Sequence, residues 1–362
     1  LNINDIPFIL LGYTNNTKVV TVRYKDKYLL DVELSKCREI WEATSFQIEK
    51  LQCNPLCVNN EEYSLKELGR IKELYYDCKL NANVTQLLQS QDPYNIIRGS
   101  RLNHMVAIIR EEGSNGDREM AIAFKIARFR PVDVTMSDLM DEKFSLDKFR
   151  GIVFVGGFSY ADTLGAGNGW ASVIENTVAK DKLKTFFNRK DTFSLGVCNG
   201  CQLLVKMGIF GKNVTIEKNT SGRFESRFSY VQVNDKSSDY RVENIFFSGM
   251  GLSKLGVWVA HGEGRFNFGN GETNDFYIPL QYINANGDKT MQYPYNPNGS
   301  AYSTAAISSP DGRHLAMMPH PERTILSWQA PWIPTHWKNY KYYPWIYMFM
   351  TAYKWCSQNK NK

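Results

Sequence analysis

Long hydrophobic runs are missing from this 362-residue sequence. No apolar stretch approaches the roughly 20 residues that a membrane-spanning helix needs, and no cleavable signal precedes the first polar stretch, so a cytoplasmic chain without a membrane partner is expected. A disulfide framework is missing too: seven cysteines, an odd number scattered over a long chain, read as free thiols. The Asn-x-Ser/Thr matches at Asn83, Asn213 and Asn298 then carry little weight, because glycosylation acceptors matter only in secreted chains. Charge of one sign is scarce. The 43 basic and 37 acidic residues leave a net charge of +6 with no basic cluster interleaved with aromatics, which argues against a nucleic-acid partner and leaves a mild preference for anions. Internal repeats and low-complexity tracts are absent as well.

What is there is enough apolar residue, 43% of the chain, to bury a proper core, and a length that suggests two domains. The sequence opens on Leu1 and not Met, which reads as a processed chain or, preferably, a piece of a longer one. Residues 1–97 read as a mixed appendage. "VVTVRY" and "KYLLDV" look like strands around the turn "KD", and Ser35 to Leu51 places Cys37, Ile40, Trp41, Phe46 and Ile48 at roughly helical spacing before "CNP" stops the helix. From Asn60 to Ser90 the sequence is polar and weakly periodic, a connector with one short helix. Over residues 98–362 the rhythm becomes α/β. "HMVAIIREEG" is a buried strand, "GDREMAIAFKIARF" an amphipathic helix, "PVDVTMSDL" the next strand, and "RGIVFVGGFSY" repeats the pattern. Apolar strands alternating with helices predict a mostly parallel sheet flanked by helices, with functional loops at the strands' carboxyl ends. "GGFS", "GVCNG" and "MMPHPE" all fall there. After Gly222 the runs become shorter and β-like, "SPDGRH" reads as a hairpin turn, and the aromatic-rich end reads as packing around a final helix.

Cys198 lies in "FSLGVCNGCQLL", between a strand-like "SLGV" and a helix-like "CQLLVKMG". This is the layout of a nucleophile elbow, where flanking glycines are needed because larger residues clash in so tight a turn. A helix N-terminus under the sulfur would favour the thiolate and offer N–H groups to an oxyanion. A redox Cys-x-x-Cys pair, half of a zinc site and a buried packing cysteine are the other readings. Zinc lacks a second ligand pair, since Cys53 and Cys57 lie in the other segment around a proline, so no metal is expected. Cys201, one helical turn on, reads as packing. In "MMPHPERT", prolines fix the backbone around His320 and Glu322. In an extended segment residues two apart share a side, so the carboxylate could accept Nδ1–H and leave Nε2 to take a proton from sulfur. A solvated His-Glu pair is the plainer alternative. The oxyanion amides would be those of Asn199 and of the Gly156–Gly157 pair, whose glycine-rich loop could otherwise cradle a phosphate.

"GVCNGCQ", "GGFSY…LGAGNGWA", "NTSGRFESRFS", "AHGEGRF", "YPYNPNGS" and "MMPHPER" together resemble the glutaminase domain of the phosphoribosylformylglycinamidine synthase family over about residues 103–350. "LSKCREIWEATSFQIEKLQCNP" is similar to the end of that family's ATP-using synthetase region. The resemblance implies a class I (triad) glutamine amidotransferase. Cys198 would be the nucleophile, His320 the proton shuttle and Glu322 its orienting group, and ammonia would pass to a synthetase region that makes formylglycinamidine ribonucleotide. The glutaminase step would use no cofactor, ATP and Mg²⁺ belonging to the synthetase region missing from this sequence. It implies oxyanion amides at Gly157 and Asn199 and substrate contacts from Gln202, Asn219 and Ser221. Phe158 and His261 are further candidates for lining the site, His261 with bracing a loop as its alternative. The sequence departs from the family at Ala161, where glycine is expected. If that position requires positive φ, alanine strains the loop by about 1 kcal/mol. A cysteine hydrolase of the same fold, or a non-catalytic descendant that binds or scaffolds, are the competing functions.

Overall fold

A computed structural model describes residues 7–68, 85, 88, 104–234, 244–269 and 276–359. The chain divides into two compact units, Leu1–Lys72 and Glu73–Lys362. The expected 97/98 boundary, and most of the connector around it, fall outside the described residues.

In the first unit, β1 (Val19–Tyr24) and β2 (Lys27–Glu33) pair antiparallel around Lys25–Asp26, and two helices follow, α1 (Leu34–Gln52) and α2 (Pro55–Leu68). An ion pair of 3.0 Å between Lys50 and Glu62 ties the helices together. The apolar positions expected along α1 are there, but only Phe46 is buried. Ile40, Trp41 and Ile48 stand exposed.

The second unit is built on one nine-stranded sheet. In chain order its elements are β3 (Met105–Arg110), α3 (Asp117–Ile126), β4 (Arg130–Thr135), α4 (Met136–Met140), β5 (Phe149–Phe154), α5 (Asn168–Glu175), α6 (Ala179–Asn188), β6 (Phe193–Val197) and α7 (Asn199–Lys206). They continue with β7 (Thr215–Lys218), β8 (Glu225–Val233), β9 (Lys254–His261), β10 (Glu263–Asn267), β11 (Tyr277–Tyr282), β12 (Thr304–Ser308), β13 (His314–Met317) and α8 (Trp345–Gln358). The strand order is β4-β3-β5-β6-β13-β12-β11-β8-β9, and β7 pairs with β10 apart from it. The first five strands are parallel and the remaining pairings antiparallel. The α/β expectation therefore holds. The short β-like runs after Gly222 extend the same sheet in antiparallel fashion, with "SPDGRH" turning β12 into β13.

Two helical layers cover the parallel half, and strand alternation says which helix lies where. Phe193 of β6 packs on Phe124 of α3, which meets Phe349 of α8 edge-on at 5.0 Å. Phe154 of β5 is in register with Gly196, the opposite face of β6 from Phe193, and meets Trp170 of α5 at 5.7 Å. So α3 and α8 cover one face, α5 and α7 the other. All these rings are fully buried, each contributing roughly 1.5–3 kcal/mol through burial.

One boundary differs from expectation: "PVDVTMSDL" is strand only to Thr135. The Thr135 hydroxyl accepts the Asp138 N–H at 3.1 Å while Asp138 accepts the Thr135 N–H at 2.8 Å. That capping box starts a helix where the apolar rhythm alone suggested more strand.

Candidate active site

Three neighbouring parallel strands, β5, β6 and β13, end in the three segments singled out in the sequence. Cys198 follows β6 at φ 52°, ψ −107° and caps α7. This left-handed geometry costs a non-glycine residue on the order of 1–3 kcal/mol, and the surroundings enforce it. Cys198 N donates to Met317 O at 2.9 Å and Gly200 N to Val155 O at 3.1 Å, stitching the turn to both flanking strands. A Cβ on Gly196 would lie 2.4 Å from Gly200 O, and one on Gly200 would lie 2.0 Å from Phe154 O. The two glycines are therefore steric requirements of the helix pressing onto the sheet. Cys201 is fully buried, and burial, with the nearby Cys198 second, pushes its thiol well up. It packs.

After β13, His320 N donates to Trp258 O at 2.8 Å, and His320 Nδ1 meets Glu322 Oε1 at 2.6 Å, both side chains buried. The backbone route differs from the extended one expected. Glu322 lies within a 3-10 turn over Pro321–Thr324, with Pro321 opening it. Burial alone would depress the imidazole. The Glu322 carboxylate and then the Cys198 sulfur outweigh it and raise the group to about 9. His320 Nε2 is buried without a hydrogen-bond partner among the described residues. The Cys198 thiol itself donates to Ala260 O at 3.3 Å, and the sulfur acts on the imidazole chiefly through charge. Their proximity is steric fact: a Cβ on Gly156 would touch His320 Cε1 at 2.7 Å and Cys198 Cβ at 3.3 Å.

The glycine pair after β5 runs against residues 113–116. Phe158 N donates to Gly113 O and Asn115 N to Gly156 O, which leaves the Gly157 N–H between them without a backbone partner among the described residues. Gly157 sits at φ 137°, where a Cβ would collide with Gly113 O at 2.6 Å. Asn199, first residue of α7, likewise has an N–H with no backbone acceptor among the described residues. Beyond Gly157 the loop turns left-handed at Tyr160, Ala161 and Asp162 in succession, so Ala161 does carry the strain expected if glycine belongs there.

A cavity opens over the sulfur. Of the residues expected at a site, Cys198, His320, Gly157, Phe158, Gln202 and His261 border it. Asn199 sits behind, and its side chain holds the walls together. Oδ1 accepts Ser159 N–H at 3.0 Å, and Nδ2 donates to Gln202 Oε1 at 2.9 Å, while Gln202 donates to Glu263 O at 2.6 Å. Asn219 and Ser221, also expected at the site, do not border this cavity. Asn219 is buried and spends its amide on Arg223 O, His261 O and Gly264 N, bracing the turn after β9. Ser221 is buried with its hydroxyl unpaired. Sequence reading missed Asp162, Phe224, Glu263 and Arg323, which do border the cavity. Burial, and then Glu263, raises Asp162, and Glu263 also accepts the Ala166 N–H. Arg323 donates to Glu119 at 2.6 Å and to Asn115 at 3.2 Å. Its position directly after "HPE" was the available signal. No group of three or more His, Cys, Asp or Glu among the described residues is arranged to hold a metal ion. No described helix is long and apolar enough to cross a membrane.

Residues 103–356 match the family described as a CobB/CobQ-like glutamine amidotransferase domain. The chain is 43% identical over 97% of its length to the probable phosphoribosylformylglycinamidine synthase, chloroplastic/mitochondrial, of Arabidopsis thaliana, covering 25% of that protein. It is 39% identical over 95% of its length to the Homo sapiens phosphoribosylformylglycinamidine synthase, covering 26% of it. The chain thus spans about a quarter of the length of the curated relatives it matches. Among solved structures, PurLQS from Thermotoga maritima aligns with a TM-score of 0.51 at 25% identity, over 70% of this chain and 99% of that one.

Proposed function

Because the chain belongs to the CobB/CobQ-like glutamine amidotransferase family, we propose that it is the glutaminase part of a phosphoribosylformylglycinamidine synthase. The observation that carries the reading is Cys198 on a glycine-flanked elbow beside a His320–Glu322 pair closed at 2.6 Å. In this mechanism the thiol proton passes to His320 and sulfur attacks the side-chain amide carbon of glutamine. The amide oxygen takes the negative charge and is met by the N–H groups of Gly157 and Asn199. His320, its positive form favoured by Glu322, returns the proton to the nitrogen as the C–N bond breaks. Ammonia leaves and a thioester remains. Water, deprotonated by the same imidazole, then releases glutamate and restores the thiol. The free amino acid carries both charges, and the cavity offers a counterpart for each: Arg323 for the carboxylate, Asp162 and Glu263 for the ammonium.

Residues 1–97 are read as the tail of the ATP-dependent synthetase region and residues 98–362 as the glutaminase. The ammonia would serve ATP- and Mg²⁺-dependent conversion of formylglycinamide ribonucleotide to its amidine in the remaining polypeptide, in purine biosynthesis. Similarity over nearly the whole chain to synthases of that name supports this assignment. The compartment is read as cytoplasmic, supported by six described cysteines that are all free; recovery of the native protein only from an organelle fraction would reject it. The test of the function is glutamate release from glutamine by the purified chain, alone and with the synthetase portion added. Labelling of Cys198, and not Cys201, by a glutamine-analogue electrophile is expected beside it. Hydrolysis of peptides without any demand for free glutamine would overturn the reading.

A further inference from the structure

The mechanism above leaves a buried imidazole at the cavity unused. His261, the last residue of β9, is 2% exposed, and its two ring nitrogens have different surroundings. Nδ1 lies 3.2 Å from Asn219 Oδ1. That oxygen is identified by its neighbours. The Asn219 nitrogen faces two backbone carbonyls, Arg223 O at 3.0 Å and His261 O at 2.7 Å, while the oxygen accepts the Gly264 N–H at 3.1 Å. An amide that must donate at one end and accept at the other cannot be turned round. Asn219 Oδ1 can only accept from the ring, so Nδ1 carries the proton and Nε2 carries a lone pair. Nε2 is buried and has no partner among the described residues. Burial, and then the charge of His320, lowers the group to about 4, so the ring stays neutral wherever the protein works. Gly264 makes the arrangement possible, since a Cβ there would lie 2.8 Å from Nδ1.

The ring borders the cavity that holds the sulfur, and the carbonyl of the preceding residue, Ala260, accepts the thiol. The end of β9 thus presents acceptors, Ala260 O and His261 Nε2. The Gly157 loop and the start of α7 present donors. A carboxamide has the complementary polarity, one oxygen and one NH2. With its oxygen on the Gly157 and Asn199 N–H groups, its nitrogen needs an acceptor. Resting on the glutamine-hydrolysis reading, we propose that His261 Nε2 accepts the N–H of the substrate carboxamide and of the departing ammonia, and thereby selects an amide over a carboxylate. Glutamate would set a second oxygen against that lone pair. The α-ammonium of the substrate is a poorer match for Nε2, because a full cation is better met by Asp162 and Glu263 on the same cavity.

The test compares glutamine with a chloroketone analogue that keeps the amino-acid end and the ketone oxygen but has no N–H at the reacting carbon. In the full chain, His261→Leu is expected to lower kcat/KM for glutamine about 10- to 100-fold, the range for one lost hydrogen bond at a buried acceptor. Inactivation of Cys198 by the chloroketone should stay within about threefold of wild type. His261→Gln, whose side-chain oxygen can accept, should recover most of the loss, and glutamate should inhibit His261→Leu more tightly. Equal losses of hydrolysis and chloroketone labelling would overturn the proposal, as would normal hydrolysis by His261→Leu. A wild-type chain that releases no glutamate and resists the chloroketone would remove the underlying reading, and this inference with it.

Discussion

Strands β6 and β13 run side by side, Ser194 opposite His314 at one end and Val197 opposite Met317 at the other. Each end brings a histidine against a nucleophilic side chain. At the amino ends Ser194 Oγ lies 2.9 Å from His314 Nδ1, with Asp311 nearby; at the carboxyl ends stand Cys198, His320 and Glu322. Both imidazoles are buried, yet their fates are opposite. His314 is lowered to about 4 by burial and then by Arg313, while His320 is raised to about 9. The difference lies in the carboxylate. Asp311 is engaged by Arg313 and Ser309 and makes no bond to the ring, whereas Glu322 bonds Nδ1 and keeps its other oxygen unpaired. The nucleophiles differ as much. Ser194 is fully buried within a regular strand; Cys198 stands on a left-handed turn that borders a cavity. A nucleophile beside a histidine is a common product of packing, and the elbow, the free carboxylate and the donors set the reacting end apart.

The largest effects should fall on one end only. Cys198→Ala is expected to cut glutamate release by at least about 10⁴-fold, while Ser194→Ala leaves it within about threefold. A large loss from Ser194→Ala, with folding intact, would dissolve the contrast. Next comes the carboxylate. Glu322→Gln keeps the shape but removes the charge that outweighs burial at His320, so the imidazole should drop and activity fall by roughly 10²–10⁴-fold. Asp311→Asn should change only stability. Glutamine turnover of the two variants across pH reads both outcomes.

The reacting end was legible in the sequence because its constraints are local. A tight strand-to-helix turn demands glycine at 196 and 200 whatever lies elsewhere, and a proline-flanked His-x-Glu can close only on itself. The central parallel strands β3, β5 and β6 were legible for a similar reason, being buried on both faces. The rest of the cavity wall, Asp162, Phe224, Glu263 and Arg323, was not, because it depends on contacts between distant residues such as Gln202 to Glu263 and Arg323 to Glu119. The resemblance offers Asn219 as a substrate contact, and the structure adds that its amide braces the turn after β9. The stripe on α1 shows the same limit from the other side. Helical spacing foretold the element, and its exposed Ile40 and Trp41 show that spacing does not say whether a face is covered.

Acid and alkali should pull on the two ends in opposite senses. The folded chain refuses a proton at His314 that the unfolded chain accepts below the ordinary value near 6.5, so the stability this site lends is full above about 6.5 and is lost as pH falls toward 4. The shift corresponds to on the order of 3 kcal/mol. For His320 the sign reverses: its contribution is full below about 6.5 and is lost as pH rises through 9. His314→Asn should therefore flatten the fall in urea midpoint between pH 7 and 5, leaving the part due to His261, which shares its sign. His320→Gln should flatten the alkaline fall and leave the part of the acid one due to His314, the part due to His261 shrinking because the charge of His320 helps lower that ring. Unchanged slopes in both variants would show that burial does not distinguish these groups in solution.

The smallest effect tests where backbone strain is kept. Just before β13 the left-handed residue is a glycine, Gly312 at φ 73°, whereas after β5 and β6 Tyr160, Ala161, Asp162 and Cys198 adopt such angles with side chains attached. Each non-glycine residue held there costs about 1 kcal/mol. Ala161→Gly should relieve one such cost and raise the unfolding free energy by at most about 1 kcal/mol, part of the gain being offset by the freer unfolded chain. Gly312→Ala should lose a similar amount. The two substitutions are chemical opposites placed at opposite ends, so opposite signs are the expected result. Glutamine KM should not move in Ala161→Gly, because the Ser159 N–H stays fixed by Asn199 Oδ1 and holds the loop beside Gly157 regardless of what position 161 carries. A loss of stability from Ala161→Gly would mean that the loop does not keep its left-handed turn in solution, and that the strain at this end is confined to Cys198.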